Sequence, residues 1–393
     1  MTKASQLPSA APAKAKLFFP HLDGLRFISF FMVFVFHFYL TVAGFVKDTS
    51  PAFYKSFQFL FQYGNLGVSF FFVLSGFLIT FLLIKERELT GSIHVGNFYV
   101  RRMLRIWPLY YLCLIIGFIA FPILKQLTGT SAQEVANPWY YLFLAANFDN
   151  IRLWPQNPDA ISLSVLWSVT VEEQFYVTWP LILRFTPLKW QRWVFPLIMI
   201  VSLVFRSFHT SDSTADYAQR YFHTLSIMGD MALGGLVAWL CANELSFRDK
   251  ISKLSKTTIL LVYLLGTAFV LFKGQIFIYG WPIIFERLII GAFFGFVIAE
   301  QNFSENSFYK IGRFKWITRL GTYTYGLYCL HLLAMYAVLL VAGKLSLDQS
   351  SPLVLVAEMV ATLAVSIVIA FCSYHFFEKW FLKLKDKFAF ITK

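Results

Sequence analysis

Charge is scarce in this sequence. Asp, Glu, Lys and Arg together make up 14% of the 393 residues, against 58% hydrophobic ones. A soluble domain of that length keeps far more charge on its surface, so most of the chain must face lipid or packed helices. Cysteine is also rare. Cys113, Cys241, Cys329 and Cys372 all fall in apolar runs without CxxC spacing, which argues against a disulfide framework or zinc site and leaves small buried hydrophobes. No Walker loop, Rossmann fingerprint or GxSxG elbow is present, and no repeat of solenoid period. The first residues lack an apolar core followed by a small-residue cleavage site, so residues 1–19 read as a disordered cytoplasmic tail rather than a signal peptide.

What the chain has in abundance is apolar run and aromatic ring: 46 Phe, 19 Tyr and 11 Trp. A hydrocarbon core of ~30 Å needs about 20 apolar residues per helix. Runs of that kind lie near residues 25–45, 66–84, 106–124, 165–184, 193–209, 225–242, 257–273, 281–300, 321–343 and 352–378. Pro138 to Asn147 is apolar but too short to cross, which suggests a re-entrant or interfacial piece. The predicted fold is an all-α, polytopic transmembrane bundle of ten spans with both termini cytoplasmic. A membrane domain over residues 20–380 is followed by a basic cytoplasmic tail at 381–393. On this topology 25 of the 34 Lys and Arg face the cytoplasm and eight face outward, the bias expected of a plasma (inner) membrane protein. The net charge of +13 therefore belongs to loops between spans and excludes nucleic acid as the partner.

Ionisable residues inside spans are costly and are functional candidates. His37 lies ~18 Å along the first span. Arg26 precedes it by eleven residues, three turns plus about 20°, so the two share a helix face. A buried histidine bonded to a neighbouring helix would leave the same signal. In Trp167-Ser168-Val169-Thr170-Val171-Glu172-Glu173-Gln174-Phe175-Tyr176, two carboxylates sit seven or eight residues into the fourth span. Counted from the outer surface, Glu172 lies ~10 Å deep, level with His37, as a base and its orienting acid would. Ser168 shares a face with Glu172. Structural pairing for helix packing is the alternative. Arg102 and Arg105, one turn apart where the third span leaves the cytoplasm, suit bidentate contact with phosphate, although anchoring alone also puts arginine there. His331 lies mid-span. Arg287 and Glu358, at similar depth, are expected to pair with each other, and Gly76, Gly234 and Gly235 to let helices approach closely.

These residues resemble the acyltransferase-3 family. Arg26 and His37, with ten residues between them, are similar to the family's opening Arg-x10-His signature. Phe71 to Ile79 resembles its second-helix motif, and Arg102-x-x-Arg105 with Trp107-Pro108-Leu109-Tyr110 its third. Trp167-Ser168-x-x-x-Glu172-x-Gln174-Phe175-Tyr176 resembles its acidic motif, with Thr170 where Ser is usual. Tyr325 to His331 resembles a later motif, without the Pro often found just after the histidine. The resemblance implies transfer of an acetyl or other short acyl group from cytoplasmic acyl-CoA to a hydroxyl, with saccharides among the acceptors and no metal. His37 would be the base, Glu172 its orienter and Ser168 a nearby donor. Arg26, Arg102 and Arg105 would hold the CoA phosphates, and Glu173, Tyr176, Trp167 and His331 are further candidates for substrate contact. The rival reading is a proton-coupled secondary transporter or flippase using His37 and Glu172 as a relay. No two-fold hydropathy repeat supports it.

Overall fold

The structure, a computed structural model, describes residues 15–16, 19–127, 129, 131–388 and 391–392. The expected disordered tail otherwise lies outside the described residues. Ala15–Lys16 pairs in parallel with Ile391–Thr392; the remaining described elements are helices, turns and loops.

Among the described residues, ten long helices build a multi-pass membrane bundle: α1 (Pro20–Val42), α2 (Leu66–Thr90), α3 (Val95–Ile115), α4 (Leu166–Phe185), α5 (Leu188–Ser207), α6 (Thr224–Asn243), α7 (Lys256–Leu271), α8 (Pro282–Phe303), α9 (Thr324–Lys344) and α10 (Pro352–Ser373). Their boundaries follow local chemistry. Proline occupies the first turn of α1, α8 and α10, where its missing N–H costs nothing. Gly91, at φ +78°, closes α2 in the left-handed conformation that glycine tolerates, its N–H donating to the Arg87 carbonyl.

Among the described residues, eight helical segments are long and apolar enough to cross a membrane. A ninth is obtained if Leu245–Ser252 and α7, bent by 93°, are taken as one span. α4 is long enough but is left too polar by Glu172, Glu173 and Gln174. Those are the residues that make it interesting.

α2 and α6 form the most extensive helix contact. A Cβ built on Gly76 would lie 2.0 Å from the Met231 carbonyl oxygen, and one on Gly234 would lie 2.0 Å from that of Val73. The contact is reciprocal, backbone against backbone, so only glycine fits either position. The expected Arg287–Glu358 pair is not formed. Arg287 instead pairs with Asp230 on α6, and Glu358 accepts from Gln349 at 3.2 Å. Equal depth was a poor guide because α10 packs chiefly on α9, not on α8.

The segment between α3 and α4 decides where the site lies. It folds into short helices at Pro138–Leu142 and Ala146–Leu153, and Asn147, Asp149, Ser162 and Leu163 are fully buried. Gln174 on α4 donates to the Leu144 carbonyl (3.1 Å) and to Asn147 Oδ1 (2.9 Å). Asn147 Nδ2 donates in turn to the Phe222 carbonyl (3.2 Å) and to Thr224 Oγ1 (3.1 Å). A buried polar segment is tolerated only when its groups are paired in this way. It places the start of α4 inside the bundle.

Candidate active site

α1, α2, α3, α4 and α9 enclose a cavity of about 750 Å³, including its open mouth. On α4, Ser168, Glu172 and Tyr176 recur every four residues and so share the face turned to it. Arg26, Arg102 and Arg105 bring three guanidinium groups to the same cavity from α1 and α3. Arg26 Nη1 lies 3.1 Å from Asp23 Oδ1; neither Arg102 nor Arg105 forms an ion pair among the described residues. The Arg102 guanidinium lies over the rings of Phe98 (5.4 Å) and Tyr176 (5.2 Å), and its buried Nε has no hydrogen-bond partner. Cation–π contact holds the group in place while leaving donors unused.

Glu172 Oε1 accepts hydrogen bonds from Ser75 on α2 and from Tyr176. The acid thus fixes the tyrosine whose ring carries Arg102. Ser168 Oγ lies 2.6 Å from the Tyr328 hydroxyl of α9, and both line the cavity. Glu173, one step around the helix, is 5% exposed and points toward α3, where Trp107 Nε1 donates to its Oε2 at 2.7 Å. Trp167 packs among Tyr221 and Phe222, centroids 5.1 and 5.0 Å away, and does not line the cavity.

His37 lies elsewhere. Its Nδ1 is 2.9 Å from Nε2 of His331, with the rings stacked at 5.1 Å. His331, 1% exposed, places its own Nδ1 2.8 Å from the Tyr328 carbonyl oxygen. A carbonyl only accepts, so Nδ1 of His331 carries the proton and its Nε2 is the acceptor when the ring is neutral. Nδ1 of His37 must then donate, which leaves Nε2 of a neutral His37 with a free lone pair.

The expected meeting of His37 with Glu172 does not occur. The depth count assumed that α4 starts at the outer surface, whereas the buried segment before it lowers Glu172 into the cavity that Arg26 also lines. Eleven residues of α1, about 16 Å, separate Arg26 from His37. His331 supplies the partner instead. Ser75 and Tyr328 were not singled out from sequence. The first was legible as a hydroxyl in the run Phe70–Ile84, the second as the residue one turn before His331.

The family model described as an acyltransferase domain matches residues 19–371. The chain belongs to the acyltransferase-3 family. Among curated relatives of this acyltransferase, the peptidoglycan O-acetyltransferase OatA of Listeria monocytogenes is 28% identical over 96% of the chain and 60% of its own length. The O-acetyltransferase OatA of Staphylococcus aureus is 28% identical over 96% of the chain and 59% of its own length. A putative O-acetyltransferase of S. aureus is 30% identical over 58% of the chain and 35% of its own length. The chain therefore spans some three-fifths, or less, of the relatives it matches. No solved structure matches it.

Proposed function

We propose that the protein is an O-acyltransferase of the plasma membrane that carries an acetyl or other short acyl group from cytoplasmic acyl-CoA to a hydroxyl of a cell-envelope saccharide. Ten crossings with both termini cytoplasmic complete this reading, α4 and α7 being the two spans that composition alone leaves out. The observation that carries it is the cavity in which Arg26, Arg102 and Arg105 converge. Three cations around one opening, one of them with a buried unpartnered N–H, fit an anion of several phosphates. The glycan acceptor is favoured by the O-acetyltransferase relatives.

Acyl-CoA would supply the thioester carbonyl. The arginines hold the phosphates at the mouth, and Glu172 keeps Tyr176 beneath Arg102. The Ser168 and Tyr328 hydroxyls stand at the far end of the cavity, where Tyr328, once Ser168 turns its proton to it, can direct its own O–H to a carbonyl oxygen that reaches it. Nε2 of His37 takes the proton of the acceptor hydroxyl as its oxygen bonds to the acyl carbon. The C–S bond breaks, and the proton returns to the leaving thiolate.

Isothermal titration of purified protein with acetyl-CoA tests the donor site. Arg102→Ala should weaken binding about tenfold or more, the value of a charge-assisted contact. Lys47→Ala, just past the far end of α1, should leave it unchanged. Equal effects would reduce Arg102 to an anchor. His331→Ala should lower kcat with little change in KM, because it removes the acceptor that orients His37. His331→Gln, whose amide oxygen can take the place of Nε2, should recover part of the loss. Identical rates for the two variants would argue for packing alone.

A further inference from the structure

Resting on the acyl-CoA reading, we propose that Phe71 limits the length of the acyl group. α2 presents Val68, Phe71 and Ser75 to the cavity as one stripe. Ser75 lies level with Glu172, to which it donates; Phe71 lies one turn farther from the arginines, and Val68 about one turn farther still. The Phe71 ring meets Tyr328 of α9 edge-on with centroids 5.7 Å apart.

Neither partner is free to yield. The Tyr328 hydroxyl lies 2.6 Å from Ser168, whose own hydroxyl also donates to the Val165 carbonyl at 3.0 Å. The Tyr328 carbonyl accepts from His331. The tyrosine is thus held at both ends, and the wall it makes with Phe71 is rigid. A thioester anchored by its phosphates at the arginines extends its acyl group toward this wall. A two-carbon group stops short of it, whereas each added methylene presses on the Phe71 ring. Removing the ring widens the cavity between Ser75 and Val68.

A pocket wall discriminates about 10- to 200-fold per methylene. In detergent-purified protein, thiol release from acetyl-, butyryl- and hexanoyl-CoA in the presence of acceptor gives the ratio of kcat/KM values. Phe71→Ala should raise the butyryl-to-acetyl ratio at least about tenfold and the hexanoyl-to-acetyl ratio further. Phe71→Leu, which disturbs packing less, should shift both in the same direction by a smaller factor. Phe70→Leu, on the other face of α2 against Phe294, should leave the ratios as they are. Unchanged ratios in folded Phe71 variants that still consume acetyl-CoA overturn the assignment of Phe71. Failure of the unaltered protein to consume any acyl-CoA overturns the donor reading instead.

Discussion

His37→Ala should lower acyl transfer by two to four orders of magnitude, the usual contribution of a positioned general base. Binding of acetyl-CoA should change little, because the imidazole does not line the cavity that holds the arginines. The loss should fall on kcat. The expectation follows from the hydrogen-bond directions: the Tyr328 carbonyl sets the tautomer of His331, and His331 sets that of His37. Single-turnover acetyl transfer by the variant decides the matter. A rate within a few-fold of the unaltered protein would remove His37 from the chemistry.

A comparably large effect, this time on folding, is expected at the crossing of α2 and α6. Gly76→Ala brings a methyl group to 2.0 Å from the Met231 carbonyl, and Gly234→Ala does the same at Val73. Both obstacles are backbone, so no side chain can turn aside and the helices must part. Overpacking of this kind costs about 3 kcal/mol or more. The same displacement would carry Phe71 and Ser75, on the opposite stripe of α2, out of the cavity wall. Thermal unfolding in detergent should show a clear fall in midpoint for either alanine variant, and Gly76→Leu should yield no monodisperse protein. Alanine variants as stable as the unaltered protein would mean that the two helices are not locked at this contact.

Much of this was legible in the sequence because it is local. Apolar runs located the long helices, and the arginines of α1 and α3 met in one cavity. The one-face relation of Ser168 and Glu172 needed only helical periodicity. What failed was depth. Placing Glu172 beside His37 required a known starting point for α4, and that point is set by bonds from Asn147 to Phe222 and Thr224, about 75 residues downstream. No local pattern encodes such a pairing. The same holds for His331, whose mid-span position was visible but whose distance to His37 depends on how α9 packs against α1.

That downstream dependence bears on how the protein is made. A nascent chain emerges N-terminus first, so Asn147 reaches the bilayer before either of its acceptors has been translated. Until the ribosome passes Thr224, Nδ2 of Asn147 lacks both acceptors that it has in the folded protein, although Thr170 and Gln174 of α4 are already present. The bonding that fixes the start of α4 is therefore complete only once the sixth helix has been made.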